Sequence, residues 1–314
     1  MEAIVPLDLF CEKIKPFYYV KGNGRQPTPL KLILKMYLVS QWYSLSDEAT
    51  EDLLYENQAA KNYVGVDCNT VPDETTLCKF RHLLERNNLA EEIFNAIAQR
   101  LENKGVLLKT GTIIDATIID APKSEKNKKK QRDPEMGSTF KNNQHFFGMK
   151  AHIGVDSDSG LVHSVAVTAA NVSDIGMAHA VLHGEEELVR GDAGYIGIEK
   201  RKEICEKYQD GTKRTEAQKP SHGKKRPDTY IKRDEVEFKI SKKRKTVITD
   251  EDKETERQKS SVRAKVEHIF QIIKHIFRFR KTRYRGIAKN TTKMLMLFAL
   301  ANILRCSQKK LSTI

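Results

Sequence analysis

The sequence predicts an α/β protein in which a helical N-terminal region precedes a mixed sheet flanked by helices. Between about residues 29 and 104, apolar residues recur at helical spacing. From residue 111 onward, β-branched and alternating stretches bounded by Gly and Asp replace that spacing. A chain of 314 residues has room for one large domain and a smaller one.

Three local signals mark the ends of the N-terminal helices. Pro29 stands at a favourable first helical position in PLKLILKMYLVSQWY. Asp73 precedes an apolar-periodic stretch and is a typical N-cap. Gly105 follows LAEEIFNAIAQRLENK and supplies a C-terminal stop. These signals predict several short helices rather than one long one.

Basic residues on these helices allow two interpretations. Arg81, His82 and Arg86 fall on one predicted helix and could bind DNA. The same pattern is equally typical of a helical domain with a purely structural role. The residues alone leave both interpretations open.

Four stretches after residue 110 predict the sheet. GTIIDATIID (111–120) suits a buried strand, and FGMKAHIGVDSDSGLVHSVAVT predicts a hairpin that turns at DSDSG. ELVRGDAGY and VEFKI predict two further short strands. The lysine-rich stretch KSEKNKKKQRDPEMGSTFKNNQ predicts a loop, whereas DIGMAHAVLHGEEE and SSVRAKVEHIFQIIKH predict helices.

The order of these elements matches the ribonuclease-H-like α/β fold, with a five-stranded mixed sheet. We therefore expect an all-helical N-terminal domain over residues 1–107 and a ribonuclease-H-like domain over residues 108–314. A polar insertion is expected around 203–234, where apolar residues are scarce.

Charge and cysteine content narrow the class of protein. The net charge of +13 and a pI of about 9.3 favour a polyanionic partner. The five cysteines are scattered and never spaced C-x-x-C, which argues against a disulfide framework or a zinc site and fits a reducing cytoplasm. No secretory signal is visible, and the longest apolar stretch (294–304) is too short to span a bilayer. We expect a cytoplasmic protein with no membrane partner.

Three acids stand out because their surroundings in the sequence do not favour an unpaired charge. Asp115 lies in the middle of an apolar strand, where a bare charge is costly unless it is paired, hydrated or metal-bound. Asp192 follows a predicted strand between two glycines, at the sheet edge where α/β proteins place their chemistry. Glu267 is the single acid of the closing helix.

Helical geometry relates Glu267 to two cations. At about 100° per residue, Arg263 and Lys274 point within roughly 40° of Glu267, at the edge of an apolar stripe. A structural Arg263–Glu267 ion pair is the plain alternative. Together, however, Asp115, Asp192 and Glu267 supply the all-oxygen ligands that Mg²⁺ prefers, with Mn²⁺ as a substitute. Two such ions would support phosphodiester chemistry.

Other acids and histidines are weaker candidates. Asp156 and Asp158 lie in a predicted turn, Asp174 is positioned to cap the following helix, and Asp120 stands at a strand exit. His152, His163 and His268 show no metal-ligand spacing, which is typical of core or surface histidines.

A basic stretch surrounds the closing helix. Between Lys242 and Arg285 there are fifteen Lys and Arg residues against six Asp and Glu residues. Such a stretch is often only solvated surface, but interleaved aromatics favour contact with a DNA backbone. The residues we predict to bind DNA are Arg263, Lys274, Arg278, Arg280, Lys281, Arg283, Tyr284 and Arg285.

The chain as a whole resembles a known family. Characteristic stretches run from about residue 27 to residue 305, namely QWYSLSDEATEDLLYE, VPDETTLCKFRHLLE, GTIIDATIIDAP, RDPEM, FGMKAHIGVDSDSGLVHSV, TAANVSD, LHGEEELVRGDAGY, VRAKVEHIFQIIK and RYRGIAKN. Together they resemble bacterial insertion-sequence transposases of the DDE superfamily, specifically the insertion-sequence five family.

The resemblance implies roles for particular residues. Asp115, Asp192 and Glu267 occupy the three catalytic acid positions. Arg263 and Lys274 occupy the two basic positions of the family's tyrosine–arginine–glutamate–lysine signature, whose tyrosine position falls on Ser260 here.

It also implies an activity. Such transposases bind the terminal inverted repeats of their element, and the N-terminal domain is expected to take part in this binding. They use Mg²⁺ to cleave the ends and join them to target DNA. They act as a dimer or larger oligomer on double-stranded DNA at the bacterial nucleoid. A nuclease of the same fold without strand transfer, and a DNA-binding regulator without catalysis, remain alternatives.

Overall fold

A computed structural model describes residues 6–18, 26–125, 131–141, 143–208, 236–241 and 264–308. Within these ranges it is a mixed α/β protein with a helical N-terminal region, as the sequence predicts. No helix in the described ranges is long and apolar enough to cross a membrane. The five cysteines are all free thiols.

The N-terminal region consists of short helices that end where the sequence predicts. The Asp73 carboxylate accepts the Thr76 N–H at 2.6 Å and caps the fifth helix, which confirms it as an N-cap. Pro29 is the residue just before the second helix, and Gly105 (φ +67°) follows the sixth. The helices are α1 (Leu7–Ile14), α2 (Leu30–Trp42), α3 (Asp47–Glu56), α4 (Gln58–Val64), α5 (Glu74–Arg86) and α6 (Leu89–Asn103).

The remaining elements form a sheet and the helices around it. The strands are β1 (Gly111–Asp120), β2 (Gly137–Lys141), β3 (Gln144–Asp156), β4 (Val162–Ala169), β5 (Leu188–Gly191) and β6 (Glu237–Ile240). The helices are α7 (Asp174–Val181), α8 (Lys202–Lys207), α9 (described over 264–271) and α10 (Ile287–Gln308). A π-helical turn, Ile272–Ile276, continues α9.

Strand β1 is the centre of the sheet. It pairs antiparallel with β3 from Thr112–Asp156 to Asp120–Gly148, and parallel with β5, where Ile113 is opposite Arg190. Strand β6 then pairs parallel with β5, and β4 pairs antiparallel with β3. The long β-branched run of β1 is therefore hydrogen-bonded to β3 along nearly its whole length and to β5 over its first three residues.

The described residues form six strands, whereas the sequence predicts five. The extra strand, β2, lies in the stretch that we expected to be a loop. It pairs antiparallel with the first half of β3, from Gly137–Gly148 to Lys141–Gln144. Its sequence, GSTFK, lacks the apolar alternation of a half-buried strand, and most of its side chains are exposed.

One hydrophobic core joins the helical region to the sheet. Leu34 of α2, Ile97 of α6, Ile113 of β1 and Phe298 of α10 all belong to it and are fully buried. Helix α10 packs against both α6 and β4, so the C-terminal helix is the element that connects the two regions. The domain boundary near residue 107 stays a prediction. Most of the predicted insertion around 203–234 lies outside the described residues.

A buried arginine of α5, Arg81, links this helix to α3 and to Tyr284 in the basic segment (residues 278–285). Arg81 forms ion pairs with Asp47 (2.8 Å) and Glu85 (3.1 Å), and its guanidinium lies 4.5 Å from the centre of the Tyr284 ring. Its side chain is only 11% exposed. The structural interpretation of this arginine is therefore favoured over direct contact with DNA.

We expect Arg81→Met to lower the free energy of unfolding by about 2 kcal/mol or more, because two partly buried carboxylates lose their partner. Arg86 is exposed on the same helix, so Arg86→Met is the matched control and should change stability by less than about 0.5 kcal/mol. Urea denaturation of the two variants measures the difference, and equal midpoints would contradict the assignment.

Lys293 of α10 is a buried cation in the same region. Its Nζ donates to Gln41 Oε1 at 3.1 Å and lies 5.4 Å from the centre of the Phe279 ring. Burial, together with the nearby cations Arg283 and Arg81 and against the opposite effect of Asp47, lowers the pKa of Lys293 from 10.5 to about 7.

This pKa predicts a pH dependence of stability. The unfolded chain binds the Lys293 proton more tightly, so the destabilisation is complete below about pH 7 and disappears as the pH rises toward 10.5. Lys293→Met should therefore gain stability over the wild type at pH 6, on the order of a few kcal/mol, and lose that advantage by pH 10. Lys289→Met, at an exposed position of α10, should show no such trend in denaturation at both pH values.

Candidate active site

Asp115 lies halfway along the buried central strand. It is half-buried between the fully buried side chains of Ile114 and Ala116, and its Oδ1 accepts the Ala116 N–H at 2.7 Å. Its strand partner is Ile153 of β3. The structure therefore holds this carboxylate on a rigid element with little room for movement.

Asp192 follows the C-terminal end of β5, next to the central strand. Strand β5 is parallel to β1, and their pairing ends where Ile113 is opposite Arg190. Asp192 keeps an extended backbone (φ −79°, ψ 177°), so the same register continued by two residues would set it opposite Asp115. The two aspartates thus lie two residues beyond the last pair of these neighbouring strands, although they are far apart in the sequence.

A short turn fixes the Asp192 carboxylate. Its Oδ1 accepts the Gly194 N–H at 2.8 Å and begins the 3-10 turn Ala193–Tyr195. A Cβ on Gly194 would approach Asp192 Oδ1 to 2.9 Å, so the carboxylate would have to shift to make room for it. The glycine two residues after the acid therefore permits this carboxylate position.

Asp115 projects from the face of the sheet whose buried residues join those of α9 in the main hydrophobic core, and the continued register would turn Asp192 to the same face. Residues alternate between faces along a strand, so Asp115 shares its face with Ile113 and Ile119. These two isoleucines belong to the same buried cluster as Val266 and Ile269 of α9. Ile114, on the other face, packs in a separate cluster with α7 and β5.

Glu267 is carried by α9, next to the buried Val266. Its side chain is exposed, while Val266, Ile269 and Ile273 are fully buried. Glu267 therefore lies at the edge of the buried stripe, as the helical pattern predicts. Lys265, on the other edge, donates to the backbone carbonyls of Ser157 and Asp158 and ties the start of α9 to the β3–β4 turn.

The three acids are not gathered around one point. In the described part of the chain, no group of three or more His, Cys, Asp or Glu side chains could hold a metal ion. The structure thus carries Asp115 and Asp192 on or just after neighbouring strands and Glu267 on α9, whose buried residues join the same core, without gathering the three carboxylates.

The π turn alters the predicted position of Lys274. The angle between Glu267 and Lys274 assumes a regular α-helix, but Ile272–Ile276 have π geometry and Phe277 N–H donates to Ile272 O at 2.9 Å. Burial lowers the pKa of Lys274, with Lys141 and Arg280 lowering it further and Asp120 raising it. Lys274 therefore lies near the exit of β1. Arg263 lies outside the described residues.

The predicted basic segment runs along the exit of β1. Asp120 N–H donates to Arg280 O at 3.2 Å, and Thr282 N–H donates to Asp120 O at 2.7 Å, which makes this segment a short extension of the sheet. The exposed members of the segment are Arg278, Arg280, Lys281, Arg283 and Arg285. Tyr284 differs from them, because one side of its ring lies against Arg81.

The RDPEM and RYRGIAKN motifs meet at the start of α10. Asp133 Oδ2 accepts the Gly286 N–H, and Glu135 Oε2 accepts the Ile287 N–H, both at 2.7 Å. Arg285 donates to the Arg132 carbonyl at 3.2 Å. Two carboxylates from a distant loop therefore satisfy the free N–H groups of this helix and fix the basic segment that precedes it.

The competing acids have structural partners, apart from Asp120. Asp156 is fully buried and accepts N–H groups of Lys109 (3.1 Å) and Ser159 (2.8 Å), as expected for a turn residue. Asp174 does not cap α7 as predicted; it is the first residue of that helix and forms an ion pair with Lys150 at 2.9 Å. Within the described residues, the buried Oδ1 of Asp120 has no hydrogen-bond partner.

Two histidines are confirmed as core residues. His163 lies 3.0 Å from Thr112 Oγ1, and burial lowers its pKa to about 3. His152 lies 2.9 Å from Thr168 Oγ1, and burial lowers its pKa to about 4. Both rings are therefore neutral members of the sheet's packing at physiological pH.

Two family models match the chain. Residues 107–303 match the family described as Transposase DDE domain, and residues 1–83 match the family described as Transposase domain (DUF772). No solved structure gives a significant match. The first match supports an enzyme of the polynucleotidyl-transferase type, and a mixed sheet with a carboxylate on its central strand agrees with it. Because that match covers more than half of the chain, the protein belongs to the DDE transposase family.

We expect Gly194→Ala to reduce DNA cleavage and joining roughly tenfold or more, because the added Cβ displaces the Asp192 carboxylate. Gly194 is exposed, so the melting temperature and the affinity for DNA should stay close to those of the wild type. Wild-type activity in this variant would show that the turn does not position Asp192.

Proposed function

We propose that this protein is an insertion-sequence five family transposase that binds the terminal inverted repeats of its element, cleaves the DNA at each end and joins the freed 3′-hydroxyls to a target. The observation that supports it most is the parallel register of β1 and β5, which would set Asp192 opposite Asp115 if it continued by two residues. Two rigidly held neighbouring carboxylates are suited to share a divalent ion.

Asp115, Asp192 and Glu267 would hold Mg²⁺, or Mn²⁺ in its place. The donor set fits, because all three supply hard carboxylate oxygens and two of them are already adjacent. When bound, the ions would activate a water or 3′-hydroxyl and stabilise the leaving oxygen of the phosphodiester. The DDE family in general uses divalent metal ions.

Glu267 differs from the other two members of this proposed set in the exposure of its side chain. Its side chain is exposed, whereas Asp115 is fixed in the central strand and Asp192 by its turn. We propose that Glu267 joins the two aspartates only when DNA occupies the site. Lys274, close to the exit of β1, would then neutralise a phosphate of the bound strand.

The basic segment supplies further phosphate contacts. Arg278, Arg280, Lys281, Arg283 and Arg285 are exposed along the sheet edge that carries the proposed site. A protein that neutralises several phosphates releases counterions, so its affinity for DNA should fall steeply with salt. Pairing of two ends would require a dimer or a larger assembly of this chain.

A nuclease without strand transfer and a regulator without catalysis are the alternatives. Joined products separate the transposase from the nuclease, because hydrolysis alone leaves free ends. Binding without cleavage would identify the regulator. The presence of both aspartates in adjacent register favours a catalytic protein over the regulator.

We expect purified protein with Mg²⁺ to cleave and join DNA that carries the ends flanking its gene. Asp192→Asn should lower both rates below roughly one-hundredth of wild type while sparing binding, because a metal ligand is lost. Removing Mg²⁺ with a chelator should have the same effect on the wild type.

Asp158→Asn is the control for that experiment, since Asp158 is an exposed acid of the β3–β4 turn at the opposite end of β1. It should retain full activity. Gel assays of cleaved and joined products give both rates, and full strand transfer by Asp192→Asn would refute the site.

A further inference from the structure

The β2–β3 hairpin ends in an exposed aromatic side chain that the proposed site does not use. Phe140 is 76% exposed, more than any other large hydrophobic residue in the described ranges. It pairs across the hairpin with His145, whose ring lies 5.1 Å away at an edge-on angle. An isolated exposed Phe is common on proteins, so its surroundings decide whether it has a role.

Phe140 lies on the same sheet face as Asp115. Directly paired residues of antiparallel strands share a face, and residues two apart along a strand do too. Phe140 is opposite His145, and Asp115 is opposite Ile153. Positions 145 and 153 of β3 differ by an even number, so both pairs project to the face that α9 covers further along the sheet.

The base of the hairpin is held tightly against the exit of β1. A Cβ on Gly148 would approach Ile119 O to 2.1 Å, and one on Gly137 would approach Asn171 Oδ1 to 2.2 Å. Both glycines therefore allow close backbone contact that a larger residue would prevent. The base of the hairpin is therefore packed tightly, so the hairpin can present Phe140 in a defined position.

Cations surround this projection. Lys141 follows Phe140, and its charge is close enough to Lys274 to lower the pKa of that lysine, as does Arg280. His145 adds a partly exposed ring beside Phe140. An exposed aromatic among cations is the combination with which proteins grip the phosphates of a nucleic acid and stack on its bases.

We propose that the tip of the β2–β3 hairpin is a separate DNA contact, in which Phe140 stacks on or between bases of the transposon end while Lys141 neutralises an adjacent phosphate. This inference rests on the proposed function, because it assumes that end DNA crosses the face carrying Asp115 and Asp192.

The sheet itself predicts where along the DNA this contact falls. Eight residues of β3 separate the partners of Phe140 and Asp115, which corresponds to about 27 Å at 3.4 Å per residue. With about 3.4 Å per base pair, a DNA axis that runs parallel to β3 would place Phe140 about eight base pairs from the cleavage position. The contact is thus distinct from any base next to the cleaved bond.

The first test compares substitutions at the tip by their effect on binding. The probe is a labelled duplex that spans one end of the element in the DNA flanking the gene. Phe140→Ala should weaken binding about tenfold without changing the salt dependence, and Phe140→Trp should restore affinity. Lys141→Ala should instead reduce the slope of log K against log salt concentration by about one, as expected when one phosphate contact is lost.

Leu108→Ala is the matched control, since Leu108 is 52% exposed. It lies just before β1, at the end of the sheet opposite the exit of that strand. It should bind as the wild type does. Melting temperatures of all variants should agree, because the substituted side chains are largely exposed.

The second test locates the contact with 2-aminopurine, whose fluorescence rises when its stacking is disturbed. Wild-type protein should raise the signal most for a probe base about eight base pairs from the cleavage position, and Phe140→Ala should abolish the rise. Wild-type affinity in Phe140→Ala, or a rise that persists in that variant, overturns this inference and leaves the proposed function intact. Failure of the wild type to bind or cleave end DNA overturns both.

Discussion

Everything at the candidate site depends on one unfavourable placement, a carboxylate halfway along a buried apolar strand. Asp115 is tolerated there because it is only half-buried and its Oδ1 accepts the Ala116 N–H, in a part of β1 that pairs with β3 but lies beyond the pairing with β5. The register with β5, continued by two residues, would bring Asp192 to the same level. A shift of that register by one residue would turn Asp192 to the other face, toward the cluster around Ile114.

The helical region and the basic segment contact each other directly. Arg81 joins α5 to Tyr284 through a cation–aromatic contact, and the carboxylates of Asp133 and Glu135 hold the first residues of α10. Helix α10 in turn packs on α6. The cations of the basic segment are therefore held on a rigid support, which would lower the entropy lost in the proposed binding of DNA phosphates.

Sequence patterns predict the elements whose residues depend on their own neighbours. The bounds of β1 and the Asp73 cap follow from β-branching and from local hydrogen bonding. The patterns fail where a distant partner decides. GSTFK becomes a strand only because β3 extends beyond β1, and Asp174 pairs with Lys150 of another strand instead of capping α7. At the site, the alignment of Asp115 with Asp192 is a matter of sheet register, which no single stretch encodes; the approach of Glu267 stays a prediction.

The wide turn at Ile272–Ile276 ends the helix that carries Glu267. An i→i+5 hydrogen bond accommodates one more residue than an α-helical turn, so the angle between Glu267 and a residue inside the turn does not follow ordinary helical periodicity. Glu267 precedes this turn, whereas Lys274 lies within it. A change between the two hydrogen-bonding patterns would therefore rotate the Lys274 charge relative to Glu267 while the apolar stripe of α9 stayed packed in the core.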